Sequence, residues 1–321
     1  MQSTRIFAPA KGQIAVESFD LPPLEAQQVL IETHYSAISP GTELAWLHHK
    51  PNTPGHYPYY PGYSASGRVL ERGAAVTGLA VGQRVVCPIR HAAHFVIEAD
   101  RCTPLPDTVS ELDAAIYRLI SIVLQGIRKA QIQLGWDVAL LGLGPIGHLA
   151  GQVARAAGAT HVHGIDPIAW RRELAIQAGF DAVSDLSAIA DLNDRFQAVI
   201  EATGVAEAVP TSFQLAGRLG HVVLLASTRG ETEQVNFYRD VHRKGVTIFG
   251  AHDAIRAQTE DYQGYTTQQT DNLTALKLLA GGRVQAAPLI SAVVPYQQAA
   301  AAYERLARRE EELMLIVFQW R

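Results

Sequence analysis

The feature that most constrains this chain is a predicted strand, glycine turn, helix and second strand over residues 138–166. Gly142, Gly144 and Gly147 have G-x-G-x-x-G spacing, and Asp166 follows Gly147 by 19 residues, at the end of the second strand. The first glycine permits a tight turn, the second lets a ligand approach the backbone, and the third permits close helix–strand packing. The segment therefore predicts an α/β fold built on a parallel sheet.

The ligand that suits this turn is a dinucleotide. Leu143, Pro145 and Ile146 complete the turn, and the helix that follows presents free N–H groups and a positive dipole end to a pyrophosphate. Asp166 is placed to accept hydrogen bonds from both hydroxyls of the adenosine ribose, whereas a 2′-phosphate would meet a like charge there. We therefore expect NAD as the cofactor.

Composition excludes several classes of partner. The chain has 321 residues, enough for two domains. Its net charge of −4 offers no basic field for nucleic acid or a membrane surface. No run approaches the ~18 apolar residues of a membrane span, and the N-terminus lacks the apolar segment of a signal peptide. We expect a cytoplasmic enzyme whose partner is a small-molecule substrate.

Hydrophobic patterning divides the chain. Residues 1–110 are β-rich, with strands predicted at 28–33, 67–71, 84–87 and 94–97. A helix is predicted from Ser110 to Gln133, and strands then alternate with helices, as in a parallel sheet covered on both faces. The predicted strands are 138–141, 161–165, 182–184, 197–201, 221–226 and 246–250, and the helices are 146–157, 170–178 and 206–217. The tail is predicted as helix 271–281, strand 289–294, helix 296–308, a solvated charged turn at 308–312 and strand 313–318.

Several motifs in this order resemble the medium-chain dehydrogenase/reductase superfamily. They are Pro40-Gly41-Thr42-Glu43, 61–67, 81–85, the glycine turn, Glu201-Ala202-Thr203-Gly204, 278–283 and Ala301-Ala302-Tyr303. The resemblance implies a GroES-like β-rich catalytic domain over 1–112, completed by 288–321, and a doubly wound Rossmann NAD-binding domain over 113–287. It also implies a homodimer or homotetramer assembled through the Rossmann domain.

The departures from the family pattern concern zinc. Where zinc-dependent members carry a cysteine ligand, this chain has Pro40; where they carry Gly-His-Glu, it has Gly62-Tyr63-Ser64. The position that matches the glutamate of the polyol-dehydrogenase branch is Arg118. Proline has no ligating side chain, and an arginine repels a cation. We therefore expect no bound metal. Cys87, His91 and His94 could be interpreted as a metal cluster, but a strand cysteine beside surface or pocket histidines is the favoured interpretation.

Without zinc, protein groups must stabilise charge on the reacting oxygen. Thr42, Glu43, Tyr63 and Arg118 are the candidate catalytic residues. The resemblance assigns Thr42 to a hydroxyl proton relay. Tyr63 is a candidate proton donor, and it would be an acceptor if its pKa were depressed. The alternative is that it only fills the vacated volume. Arg118 is expected to pair with Glu43 or to bind an anionic substrate group.

Further contacts are implied by the resemblance or by position. Arg171, with Arg172 as the fallback, is expected over the adenine. Thr203, Gly204, Ala226, Ser227 and Thr228, at strand ends, are expected beside the cofactor. His48, His49, His56, His91 and His94 are expected near the pocket mouth, and the aromatic run 56–61 is either a pocket wall or a packed proline-rich loop.

Three functions are compatible with these residues. The first is a zinc-independent, NAD(H)-dependent alcohol dehydrogenase or ketone reductase. It is similar to the polyol, threonine and bacteriochlorophyllide hydroxyethyl dehydrogenase branch, and the resemblance extends to dehydrogenases of secondary metabolism. The second is an NAD(P)H-dependent quinone or enoyl reductase, which the charge of Asp166 disfavours because that branch prefers NADPH. The third is a non-catalytic dinucleotide-binding protein.

Overall fold

The computed structural model describes residues 1–258, 266–309 and 312–321. The chain divides into two compact units. The β-rich unit comprises Met1–Arg118, Asn272–Gly282 and Leu289–Arg321, and the parallel-sheet unit comprises Leu119–Asp271 and Arg283–Pro288. The first division therefore lies after Arg118, inside a helix, whereas the sequence analysis placed it at residue 112. Glu310 and Glu311, in the charged run predicted as a solvated turn, lie outside the described residues.

The first part of the chain forms mostly strands. In order, the elements are β1 (Gln2–Phe7), β2 (Ala15–Asp20), β3 (Gln28–Ala37), α1 (Pro40–Leu47), β4 (Ala65–Arg72), β5 (Arg84–Cys87), β6 (His94–Glu98), β7 (Thr103–Pro104), α2 (Glu111–Ala114) and α3 (Tyr117–Ala130). The single helix predicted from residue 110 is thus two helices. Ser110 caps the first by accepting from the Asp113 N–H, and Ser64 donates to the Ala115 carbonyl at the break (2.5 Å).

The parallel-sheet unit follows the predicted alternation. Its elements are β8 (Asp137–Leu141), α4 (Pro145–Ala157), β9 (His161–Ile165), α5 (Ala169–Gln177), β10 (Ala182–Ser184), β11 (Phe196–Glu201), α6 (Val209–Leu215), β12 (Ala216–Leu224) and β13 (Thr247–Gly250), followed by α7 (Gln268–Ala280), which continues into the β-rich unit. All six strands are parallel, in the order β10-β9-β8-β11-β12-β13. The order reverses between β8 and β11, and an open sheet of this kind binds ligands at that point.

Strand β12 begins earlier than predicted. Its pairing with β11 shifts register between Ala216 and His221, and Leu219 within this stretch has a left-handed backbone (φ 57°). The intervening residues form an irregularity that breaks the period of two on which strand prediction depends. The core of this unit packs Leu141, Ile165, Val199 and other apolar strand residues against Phe213 of α6.

The β-rich unit is completed by the last part of the chain, which forms β14 (Ile290–Pro295), α8 (Ala299–Ala307) and β15 (Leu315–Gln319). Its main sheet has the order β14-β15-β3-β4-β5-β7, with β6 also paired to β3, while β1 and β2 form a separate hairpin. Strand β15 therefore lies between β14 and β3. A cluster of buried residues from both ends of the chain, including Ile6, Ile38, Tyr303 and Phe318, forms a core of this unit.

Among the described residues, none of the helices combines the length and the apolar character that a membrane crossing requires.

Candidate functional site

The glycine turn after β8 is enclosed on one side and open on the other. Gly142 has φ +95°, and a Cβ there would lie 2.8 Å from Cγ2 of Thr203. A Cβ on Gly147 would lie 1.9 Å from the Gly142 carbonyl oxygen. At Gly144, by contrast, a Cβ would meet nothing within 4 Å. The space beside Gly144 is therefore free for a ligand, at the N-terminus of α4, which begins at Pro145.

Asp166 follows β9 and is buried. One carboxylate oxygen accepts the N–H of Leu143 in the glycine turn (2.8 Å), and the other accepts the N–H of Ile168 (2.9 Å). Each oxygen retains a second lone pair for a ribose hydroxyl. The predicted acid and the predicted turn are thus brought together by a direct hydrogen bond, and together they form a cradle that fits an adenosine ribose and a pyrophosphate.

Two arginines accompany Asp166. A guanidinium nitrogen of Arg171 lies 3.7 Å from its carboxylate, and Arg172 donates to its carbonyl oxygen (2.7 Å). Arg171 also lies over the ring of Trp170, with its guanidinium carbon 5.5 Å from the ring centroid. Arg172, proposed only as a fallback in the sequence analysis, thus contacts Asp166 more closely than Arg171 does.

Helix α4 is tied to Arg171 through a buried histidine. His148 Nε2 lies 3.2 Å from the Arg171 carbonyl oxygen and therefore donates to it. Burial lowers the pKa of His148 to about 4, against the opposing effect of this hydrogen bond. The imidazole is consequently neutral at physiological pH. The sequence analysis did not identify His148 because its partner lies on another helix.

The ends of β11 and β12 form the opposite side of the turn. Glu201 is fully buried, accepts the N–H of Thr203 (2.7 Å) and also accepts its hydroxyl. Burial raises the pKa of Glu201. The Ala226 N–H donates to the Glu201 carbonyl (3.0 Å), and a Cβ on Gly204 would lie 3.2 Å from the Ser227 carbonyl oxygen. The structure thus brings together these predicted cofactor-binding residues, with Thr228 next in the chain.

The β-rich unit contains a buried polar network around Glu43, in the first turn of α1. Glu43 is fully buried, and its Oε1 accepts the N–H of Ser39 (2.8 Å). Its Oε2 accepts the Tyr303 hydroxyl and lies 3.1 Å from Nε2 of His91. Glu43 is thus paired with His91, a partner that the sequence analysis did not name.

The other side of His91 is also occupied. Its Nδ1 lies 2.8 Å from the Ser36 hydroxyl oxygen, which also accepts Nε1–H of Trp320 (2.8 Å). His91 is fully buried and packs edge-on against Phe318, with ring centroids 5.1 Å apart. The expectation of a surface or pocket-mouth histidine was therefore wrong for His91, because both ring nitrogens have partners in the core.

Tyr63 is joined to this network through Ser39. The phenol donates to the Ser39 hydroxyl at 2.5 Å. Burial raises the pKa of Tyr63 to about 12, although hydrogen bonds with Ser39 and Thr42 oppose the shift. Tyr63 could act as a proton acceptor only if its pKa were depressed, and the raised pKa contradicts that alternative. Tyr63 is a neutral phenol at physiological pH, held by the hydroxyls at the start of α1.

Ser64 makes two hydrogen bonds at the start of α3, where Arg118 lies. The Ser64 hydroxyl, which donates to Ala115, also accepts the backbone N–H of Arg118 (3.3 Å). Arg118 is buried. Arg118, at the position that matches the glutamate of the polyol-dehydrogenase branch, is thus held through its backbone by Ser64, the residue that follows Tyr63.

The residues at these positions do not fit zinc. Pro40 and Arg118 offer no ligand, and the phenol of Tyr63 is neutral. Of the residues considered as a metal cluster, Cys87 lies in a buried apolar cluster with the second free thiol, Cys102. His94 contacts Ser3, with Nδ1 3.4 Å from the hydroxyl oxygen. Within the described ranges, no group of three or more His, Cys, Asp or Glu side chains is arranged to hold a metal ion.

The aromatic run at 56–61 is a packed loop. The Tyr57 hydroxyl donates to the Leu47 carbonyl (2.9 Å), and Tyr59 exchanges backbone hydrogen bonds with Ala8 (2.7 and 3.0 Å). The guanidinium of Arg5 lies 4.1 Å from the ring centroid of Tyr60. These contacts favour the packed-loop interpretation over the pocket wall.

Sequence reasoning missed the partners of Glu43. Its pairing with His91 joins positions 48 residues apart. Tyr303 entered the sequence analysis only through the motif Ala301-Ala302-Tyr303, and Ser36 and Trp320, which contact His91, have no motif spacing. The local signal was Glu43 itself, an acid at the end of the motif Pro40-Gly41-Thr42-Glu43.

Two family models match the chain. The model described as zinc-binding dehydrogenase matches residues 145–267, and the alcohol dehydrogenase GroES-like domain matches residues 25–110. A 2-dehydro-3-deoxy-L-galactonate 5-dehydrogenase from Pseudoalteromonas atlantica is 25% identical over 91% of this chain and 92% of its own length. A D-guloside 3-dehydrogenase from Escherichia coli is 28% identical over 77% of this chain and 73% of its own length.

Solved structures share the fold. Galactitol-1-phosphate dehydrogenase from Escherichia coli aligns with a TM-score of 0.86 at 21% identity, covering 99% of this chain and 100% of that one. A candidate zinc-binding dehydrogenase from Sinorhizobium meliloti, bound to NADP, aligns with a TM-score of 0.84 at 23% identity, covering 99% of both chains. The predicted fold class, a GroES-like domain with a parallel-sheet Rossmann domain, is confirmed.

Proposed function

Because the chain belongs to the medium-chain dehydrogenase/reductase superfamily, we propose that it is a zinc-independent, NAD-preferring dehydrogenase that interconverts a secondary alcohol and a ketone of a polyol or sugar derivative. The substrate class is taken from the two relatives, both of which are named for oxidising a sugar derivative. The dinucleotide, when bound, exchanges a hydride with the substrate carbon.

The observation that carries the cofactor preference is Asp166. Its buried carboxylate, fixed by the Leu143 N–H, presents negative charge where the adenosine ribose is expected. A 2′-phosphate would have to be brought against this charge, and like charges at close range in a poorly solvated site repel strongly. NAD places two hydroxyl donors there instead.

Tyr63 is the proposed proton donor. Without substrate, the phenol O–H donates its hydrogen bond to the Ser39 hydroxyl. As hydride adds to the carbonyl carbon, the O–H turns from Ser39 to the carbonyl oxygen and donates its proton there, and the resulting phenolate regains a proton from solvent. The Ser39 and Thr42 hydroxyls, which lower the pKa of Tyr63 against the effect of burial, stabilise the transient phenolate. A fixed hydrogen-bond donor of this kind provides charge stabilisation that would otherwise come from a metal.

Cofactor preference is tested by steady-state kinetics, with NAD against NADP for the oxidation of galactitol 1-phosphate and a panel of sugar alcohols, and with NADH against NADPH for the reduction of D-xylulose. We expect kcat/KM for NAD to exceed that for NADP by about 100-fold or more, corresponding to roughly 3 kcal/mol. Asp166→Ser should reduce the ratio by raising activity with NADP, because Arg171 and Arg172 remain beside the site. Preference for NADP in the unaltered enzyme would refute the proposal.

Zinc independence is tested separately by metal analysis of protein purified without chelator. We expect substoichiometric zinc, and unchanged activity after dialysis against EDTA. One zinc per chain together with loss of activity on chelation would show that metal is needed.

A further inference from the structure

The Tyr63 loop and the buried His91–Glu43 pair are in direct contact. Gly62, which precedes Tyr63, has φ +96°, and a Cβ there would lie 2.5 Å from the backbone nitrogen of His91. The same nitrogen donates to the Pro61 carbonyl (3.0 Å), and Arg90 donates to the Gly62 carbonyl (3.2 Å). The backbone at 61–62 is therefore packed tightly onto the backbone at 90–91.

A second connection runs through side chains. His91 faces Glu43 Oε2 at 3.1 Å, Glu43 Oε1 accepts the Ser39 N–H at 2.8 Å, and the Ser39 hydroxyl accepts the Tyr63 phenol at 2.5 Å. Every member before Tyr63 is buried. His91 thus contacts the Tyr63 loop directly and also fixes the residue that receives the Tyr63 hydrogen bond.

The direction of each hydrogen bond between Trp320 and Glu43 follows from which groups can donate. The Trp320 indole can only donate, so Ser36 Oγ accepts from it and is left with its own hydroxyl proton to give to His91 Nδ1. Nε2–H of His91 then points to Glu43, which also receives the Tyr303 hydroxyl and the Ser39 N–H. Three donors on one carboxylate compensate for the burial of its charge.

We propose that His91 is a positioning residue that holds the Tyr63 phenol in its reactive orientation through Glu43 and Ser39. This inference rests on the role proposed above for Tyr63. It assigns a function to a histidine that is separated from Glu43 by 48 residues of sequence. If His91 acts through Tyr63, a substitution of His91 should lower kcat only when the Tyr63 hydroxyl is present.

A double-mutant cycle in the full-length enzyme tests this. His91→Leu, Tyr63→Phe and the double variant are compared by kcat with NADH and D-xylulose, or with NAD and galactitol 1-phosphate. We expect His91→Leu to lower kcat by about 10-fold or more alone, and by less than about twofold in the Tyr63→Phe background. NADH affinity should stay unchanged. His91→Gln, which retains an N–H donor, should recover part of the loss.

The matched control is His94→Gln, a partly buried histidine on the same segment that contacts Ser3 instead. It should leave kcat unchanged in both backgrounds. An equal loss from His91→Leu in both backgrounds, or no loss at all, would overturn the proposal. If His91→Leu does not fold, His91→Gln replaces it in the cycle under the same criteria.

A further measurement separates this proposal from the proposed role of Tyr63. If Tyr63→Phe leaves kcat unchanged, or if neither probe is turned over, the Tyr63 hydroxyl proton is followed by NMR and assigned by its disappearance in Tyr63→Phe. A short phenol–serine bond gives a downfield resonance. Loss or upfield movement of that resonance in His91→Leu supports positioning by His91, and an unmoved resonance refutes it.

Discussion

Asp166 and Glu43 are both buried carboxylates. Whether the surroundings of each can be predicted from sequence depends on whether its hydrogen-bond donors are near it in the chain or far from it. Asp166 is satisfied by two backbone N–H groups from its own strand–turn–helix segment, so its position follows from motif spacing. Glu43 is satisfied by His91 and Tyr303, 48 and 260 residues away. Such pairs depend on how distant strands meet, which one sequence does not specify. The partners of Glu43 were therefore not predicted.

At Tyr63, replacing the phenol by phenylalanine removes the proton donor and the hydrogen bond to Ser39 while preserving the ring. We expect Tyr63→Phe to lower kcat for ketone reduction by about 100-fold, the usual contribution of a general acid, with little change in NADH affinity. Because burial raises the pKa of Tyr63 to about 12, the unaltered enzyme should show no alkaline loss of reduction attributable to this group below pH 10. Tyr57→Phe is the control. Equal turnover in Tyr63→Phe and unaltered enzyme would remove Tyr63 from the chemistry.

His148 gives a prediction for acid stability. Burial lowers its pKa to about 4, whereas an unfolded imidazole has a pKa near 6.5. Between these values the unfolded state binds more protons, so the free energy of unfolding falls as pH decreases from 6.5 to 4. His148 should account for about 1–3 kcal/mol of that fall. Urea unfolding at pH 7 and pH 4.5 should show a smaller difference for His148→Gln.

The control for this measurement is His242→Gln, an exposed histidine of the same unit. A pH dependence in His148→Gln as steep as in the unaltered protein would contradict the assignment.

At the scale of elements, strongly patterned segments were predicted well. The strands predicted at 161–165 and 84–87 match β9 and β5, since short apolar runs between turn residues are typical of buried strands. Helix α1 was missed because its opening Pro-Gly resembles a turn, although proline is favourable in the first turn of a helix. Strands β1 and β2 were missed because β1 does not alternate in burial, and β2 alternates only between half-buried and exposed positions with none fully buried.

The glycine turn allows binding and folding to be separated. Gly144→Ala places a methyl group where the protein has nothing within 4 Å. It should therefore leave the melting temperature unchanged. It should weaken NADH binding about tenfold or more, because the pyrophosphate of the cofactor is expected to occupy that space. Gly147→Ala drives a methyl group into the Gly142 carbonyl and should lose both affinity and about 1–3 kcal/mol of stability.

Thermal melts and NADH fluorescence titrations distinguish these two variants. Gly78→Ala, whose added methyl group would also meet nothing within 4 Å, is the control for the substitution itself. If Gly144→Ala bound NADH as tightly as the unaltered protein, the open side of the turn would not be the phosphate site.

At the scale of the whole molecule, the β-rich unit depends on the end of the chain. Strand β15 pairs with β14 on one side and β3 on the other, and its residues Leu315–Phe318 are buried. Removing residues 315–321 would leave β3 and β14 without their shared neighbour and expose the apolar core beneath. We expect this truncation to abolish the cooperative thermal transition of the unit and to lower soluble yield.

Removal of exposed Arg321 alone is the matched control and should cost little, because its ion pair with Glu32 lies at the surface. A melting temperature within about 3 °C of the full chain after the longer truncation would show that β15 is dispensable, since a lost core strand should cost several kcal/mol.

The interior position of β15 also fixes an order of events during synthesis on the ribosome. Residues 119–288 contain every segment of the parallel-sheet unit, and they are synthesised before residues 315–319. Until β15 is synthesised, the edge of β3 that pairs with it has no neighbouring strand. Domains generally fold as units in the order in which they are completed. In this protein the segment translated first is therefore among the last to reach its native state.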